Sequence, residues 1–200
     1  MATSRIKTSS ILQGFPKSRS LLAGNAGYDP AATWLIQRVN PTSGATTVSF
    51  TSIPQTYKHL QIRALTEDST SASNTAYPAF LQFNSDSNSN YNYHYLLSNG
   101  TAASAVGSAT TTDPWIYGAD SISTTANIFG AVIIDIHDYA STTKNKTTRY
   151  ISGLDRNGSG FVALGSTLWR NTAAITRIDL VANFNGFAAG STFALYGMIG

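Results

Sequence analysis

The chain has 200 residues, 42% of them hydrophobic and only 12% charged, with a formal net charge of +3. That length fits one β-sandwich domain with a core of its own, and a charged share about half the usual one leaves Ser, Thr, Asn and Gly to cover the surface. Cysteine is absent, which excludes a disulfide framework and a thiolate metal site. No run approaches the roughly 18 apolar residues of a membrane span, so membrane insertion is not expected. The N-terminus lacks the apolar stretch of a signal peptide, which points to synthesis in the cytoplasm.

Residues 1–28 read as an extended, basic docking arm. Up to residue 24 the arm carries Arg5, Lys7, Lys17 and Arg19 with no acid, whereas the rest of the chain holds nine Lys/Arg against ten Asp/Glu. Four positive charges spread over about twenty residues are too sparse a footprint for nucleic acid. The arm's apolar residues Ile6, Ile11, Leu12, Phe15, Leu21 and Leu22 are too many for a solvated linker, and Gly14, Pro16, Gly24 and Gly27 break regular structure. Arg5, Lys7, Ile11, Leu12, Phe15, Lys17 and Arg19 are therefore the expected anchors on an acidic surface of another protein. A terminal segment of this kind takes its order from a neighbour.

From residue 29 to 200 the pattern is that of a single antiparallel, jelly-roll-like β-sandwich, so the fold class is all-β. Strands are expected at 32–39, 45–51, 57–66, 78–84, 91–97, 114–118, 126–138, 146–154, 159–169, 174–184 and 191–199, separated by Gly, Asn, Ser and Pro turns. Alternation is clear in several. Leu60 and Ile62 oppose His59, Gln61 and Arg63; Val132, Ile134 and Ile136 oppose Ile133, Asp135 and His137; Ile178, Leu180 and Ala182 oppose Arg177, Asp179 and Val181. One face of each strand is thus core and the other wet. The last strand is apolar almost to its end, which suits insertion between two others. Residues 67–77 and 98–113 are uniformly small and nearly uncharged, and read as long loops.

Few residues suggest chemistry. Asp135 and His137 share a strand face, but a metal site needs more donors than that pair. Asn84, Asp86, Asn88 and Asn90 place side-chain oxygens at alternate positions as calcium loops do, yet Asp86 is the one carboxylate and no closing Glu follows; a polar turn accounts for them. Asp155 to Gly160 contains Asn157-Gly158, a hairpin signal. Glu67 is the single Glu of the chain, which excludes a pair of catalytic glutamates. No phosphate loop or nucleophile elbow occurs. No cofactor, no metal and no enzymatic activity are expected. Tyr91, Tyr93 and Tyr95 fall on one strand face, and Trp115, Tyr117 and Trp169 add to the aromatic set. Such rings stack on glycans, form protein–protein contacts, or fill a core.

From Val48 onward the chain carries Phe50, Ile53-Pro54-Gln55, Tyr57, His59-Leu60, Ile62-Arg63, then Leu81, Phe83-Asn84 and Asn90-Tyr91. It continues through Ala126-Asn127-Ile128-Phe129-Gly130, Asp135, Tyr139, Trp169-Arg170-Asn171-Thr172, Ala174-Ile175-Thr176 and Phe193-Ala194-Leu195-Tyr196-Gly197. Over about three quarters of its length this resembles a module of virion structural proteins of tailed phages, notably those infecting cyanobacteria and other aquatic bacteria. The resemblance implies a jelly-roll sandwich on the particle surface, commonly a homotrimer, as in head cement (decoration) proteins and tail-fibre tips, and it transfers no catalytic residue. The partners it implies are other copies of the chain and the major capsid protein or a tail protein. In the alternative reading, a receptor-binding tip, a host surface glycan is contacted through Tyr91, Tyr93, Tyr95 and Trp115.

Overall fold

A computed structural model describes residues 33–69, 76–121, 127–156, 158–183 and 185–199. The arm and all seven of its expected anchors lie outside the described residues. Twelve strands and no helix are described, in order β1 (Thr33–Val39), β2 (Thr47–Phe50), β3 (His59–Thr66), β4 (Ala76–Phe83), β5 (Tyr91–Ser98), β6 (Ala103–Thr111), β7 (Trp115–Ser121), β8 (Gly130–Ile136), β9 (Lys146–Asp155), β10 (Gly160–Trp169), β11 (Ile178–Ala182) and β12 (Thr192–Met198).

The strands form two antiparallel sheets. The larger runs β1-β12-β3-β8-β9-β10-β5-β6 and the smaller β2-β11-β4-β7. Setting aside β5, β6, β9 and β10 leaves eight strands whose chain order is 1-8-3-6 in one sheet and 2-7-4-5 in the other. That is the double Greek-key wrap of a jelly roll. The four strands set aside are two insertions, one after β4 and one after β8, and both extend the same side of the larger sheet. The terminal strand β12 is inserted between β1 and β3, as the apolar tail of the sequence requires.

Alternation decides what lies between the sheets. Leu60 and Ile62, Val132, Ile134 and Ile136, and Phe193 and Leu195 point inward from the larger sheet, against Val48, Phe50, Leu81, Phe83, Ile116, Ile178 and Leu180 from the smaller one; all are buried. Each such aliphatic or aromatic residue contributes about 1.5–3 kcal/mol of transfer free energy.

The inserted strands are tied to the wrap by polar contacts as well. The Tyr117 amide donates to Tyr150 Oη at 3.2 Å, and Ser152 Oγ donates to the Tyr117 carbonyl at 2.6 Å, so β9 holds the backbone of β7. The Tyr150 ring lies across β10 where Gly165 has no side chain; a Cβ there would sit 2.5 Å from the ring.

One expected loop is a strand. Residues 103–111 form β6, the nine-residue edge of the larger sheet, paired among the described residues with β5. Its sequence, ASAVGSATT, shows no alternation because the smaller sheet does not cover it, so neither face is selected to be apolar. Residues 70–75 of the other expected loop lie outside the described residues, and residues 76 and 77 begin β4. The strand expected from residue 174 starts at Ile178. Asn84 holds the preceding segment in a loop: its side-chain oxygen accepts from the Thr176 and Arg177 amides at 2.9 and 3.1 Å, and its Nδ2 donates to the Ala174 carbonyl at 2.8 Å. β9 and β10 pair as a hairpin, where the Arg156 amide donates to the Ser159 carbonyl; Asn157 of the expected turn lies outside the described residues.

Candidate functional site

The aromatic set faces inward. Tyr91, Tyr93 and Tyr95 are buried on the inner face of β5, and Trp169 is buried beside them on β10. Trp115 is half-buried and stacks on Tyr93 with ring centroids 5.4 Å apart and an interplanar angle of 7°. Tyr117 packs against Tyr95 at 5.1 Å and meets Phe161 edge-on at 5.8 Å. These rings fill the core beneath the inserted strands. A period of two shows that the three tyrosines share a face but not which face is covered. Their ring faces are already occupied by other side chains, so none is open for a sugar to stack on.

Asp86 organises the β4–β5 turn. One carboxylate oxygen accepts from the Asn88 amide at 3.0 Å and from Asn88 Nδ2 at 2.8 Å; the other accepts from Asn90 Nδ2 at 2.9 Å and from the Trp169 indole N–H at 2.8 Å. Partial burial alone would raise its pKa, but hydrogen bonds from Asn90, Trp169 and Asn88 outweigh it and hold the value at about 2. Both oxygens are taken by donors, so the alternating oxygens of this turn work as a polar turn. Tyr91 Oη donates to the Asp86 carbonyl and accepts from the Phe83 amide, both at 3.0 Å.

The histidines and carboxylates do not converge. Among the described residues no group of three or more His, Cys, Asp or Glu side chains is placed to hold a metal ion. His137 meets His59 edge-on at 5.0 Å, and Asp135 turns away from His137 to accept from Gln61 Nε2 at 2.7 Å and Arg149 Nε at 3.0 Å. Asp138 accepts from Lys144 at 2.6 Å and pairs with Lys58 at 3.0 Å. These contacts draw its pKa down to about 2.

What stands out is the outer face of the larger sheet. Cross-strand register places Ile133, Ile151, Leu164 and Leu96 side by side on β8, β9, β10 and β5, ending at Ala105 on β6. The next row on the same face reads Leu65, Ala131, Gly153, Val162, Ser98 and Ala103. Neither stretch contains an ionisable side chain. Leu96 is 59% exposed, Leu164 54%, Ile151 52% and Val162 51%. Beside the ridge formed by Leu96, Leu164 and Val162, the small residues Ala103 and Ala105 leave a shallow groove of about 370 Å³. On the opposite flank the row Gln61, Asp135, Arg149, Ser166, His94 and Gly107 is polar. Its polar groups are linked: Arg149 Nε donates to Asp135, Gln61 Nε2 donates to Asp135, and the neighbouring Arg63 Nε donates to Gln61 Oε1, two arginines against one carboxylate.

Comparison with protein families, curated proteins and solved structures found no match for this chain. The geometry of this face therefore stands on its own. Sequence reading missed it, although a signal was present: Ile133, Ile151, Val162, Leu164 and Leu96 occupy the alternate positions that a half-buried strand leaves polar.

Proposed function

We propose that the chain is a non-enzymatic structural protein of a tailed-phage particle, a head cement protein that docks by its N-terminal arm. Copies cluster as trimers on the shell and add contacts that exist only once the shell is assembled, which stabilises it by mass action. The observation that carries this reading is the aliphatic patch on the outer face of the jelly roll, a surface suited to protein contact. The resemblance of the chain from Val48 onward and the acid-free basic arm agree with it. The alternative, a tail-fibre tip gripping host glycan, is the weaker reading because Tyr91, Tyr93 and Tyr95 are buried.

Quantitative mass spectrometry of the particles whose genome encodes the chain tests this directly. Hundreds of copies per particle are expected. About a dozen would move the protein to the tail, and none would remove it from the virion.

A further inference from the structure

We propose that the apolar outer face of β8, β9, β10, β5 and β6 is a self-association surface, covered in solution by the same face of a second copy of this chain. Four observations lead to a second copy. The first is area. Given their exposures, Leu65, Ile133, Ile151, Val162, Leu164 and Leu96 alone present roughly 600 Å² of aliphatic surface, at the upper end of what a monomer leaves open. With the small residues between them the face approaches the ~800 Å² per partner of a stable interface.

The second is charge. The two apolar rows carry no ionisable side chain, and the bordering Arg63, Asp135 and Arg149 are engaged with one another or with Gln61. The two rows bring no charge against a second copy, and the net positive charge of the border, Arg63 and Arg149 against Asp135, stays at one flank of the face. The third is shape. A ridge of Leu164 and Leu96 lies beside the groove over Ala103 and Ala105, so one face turned about a twofold axis can set ridge into groove and be met in return.

The fourth is the edge. Among the described residues β6 has no strand partner on its outer side and carries no Lys or Pro along its nine residues, so its protection there is limited to the irregular pairing with β5. A neighbouring copy packed on the adjoining face would hinder other chains from approaching that edge. This inference does not rest on the particle reading, because an oligomer in solution and copy number in virions are measured separately.

The test uses the full chain, which has no cysteine, so a single introduced thiol reports cleanly. Light scattering with size exclusion at micromolar concentration is expected to give a multiple of the monomer mass. Leu96→Glu combined with Leu164→Glu is expected to give a monomer with an unchanged β-sheet circular dichroism spectrum. Leu164→Cys is a mild change that covers the case in which the double variant fails to fold. Under oxidation an equal mixture of Leu164→Cys and Ala105→Cys chains should give a disulfide-linked pair, ridge to groove, whereas Leu164→Cys mixed with Val181→Cys on the other sheet should give none. A wild-type monomer overturns the proposal. So does an oligomer in which Leu164→Cys fails to cross-link to Ala105→Cys, since its copies would then meet elsewhere.

Discussion

Replacing Asp86 by Asn keeps the shape of the side chain but turns one acceptor oxygen into an N–H donor. In either orientation two of the four donors, from Asn88 or from Asn90 and Trp169, lose their acceptor. The carboxyl titrates at about 2 in the fold against 3.8 for the free group. That difference has a ceiling of about 2.5 kcal/mol, and screening on the solvent side of the turn reduces it to ~1.5 kcal/mol. With the misdirected amide added, Asp86→Asn is expected to cost about 2 kcal/mol at pH 7, or roughly 4–8 °C in Tm for a domain of this size. Because the folded-state pKa is depressed, the ionic part is fully present above pH 4 and is lost as pH falls toward 2. Urea unfolding followed by tryptophan emission, with both proteins at pH 7 and pH 2.5, measures the gap. It should narrow to under ~1 kcal/mol at the lower pH. A gap that stays the same at both pH values would refute the assignment of the carboxylate as the organising charge.

Other expectations follow from contacts already described. Tyr150→Phe removes the hydroxyl that accepts from the Tyr117 amide and should lower stability by about 1 kcal/mol in urea titration. Gly165→Ala sets a methyl against the Tyr150 ring and should cost roughly 1–3 kcal/mol through overpacking, read in the same titration. Asp179 is buried and receives Arg177 Nε at 2.8 and 3.0 Å, Arg177 Nη2 at 2.8 Å and Ser49 Oγ at 2.6 Å. Arg177→Met leaves it with Ser49 and should cost about 2 kcal/mol in thermal unfolding, less than a fully buried pair because the arginine is partly solvated.

Eleven of the twelve strands were legible because an alternating strand writes its burial into the sequence. Leu60 and Ile62 against Gln61 and Arg63 is such a case. The strand that escaped, β6, has small residues on both faces, and without cover on either side there is no period to read. The insertion of β12 between β1 and β3 was legible in its apolar sequence. The doubling of the larger sheet was not, because the pairing of β10 with β5 joins residues far apart in the chain and leaves no local mark. For the same reason the inward turn of Tyr91, Tyr93 and Tyr95 could not be settled beforehand: their alternation is unambiguous, but which side is wet depends on β7 and β9 arriving from elsewhere. The aliphatic outer face was half legible, in strands that carried Ile, Leu or Val at positions where water was expected.

Thr33 and Met198 are direct partners across β1 and β12, so the chain enters and leaves the sandwich at one corner. β6 closes the opposite side of the same sheet, seven strand spacings away, a separation of roughly 34 Å. A force applied at Thr33 therefore enters the sandwich at the rim opposite β6. Such a pull would load the β1–β12 seam before it reached the strands that carry the aliphatic face.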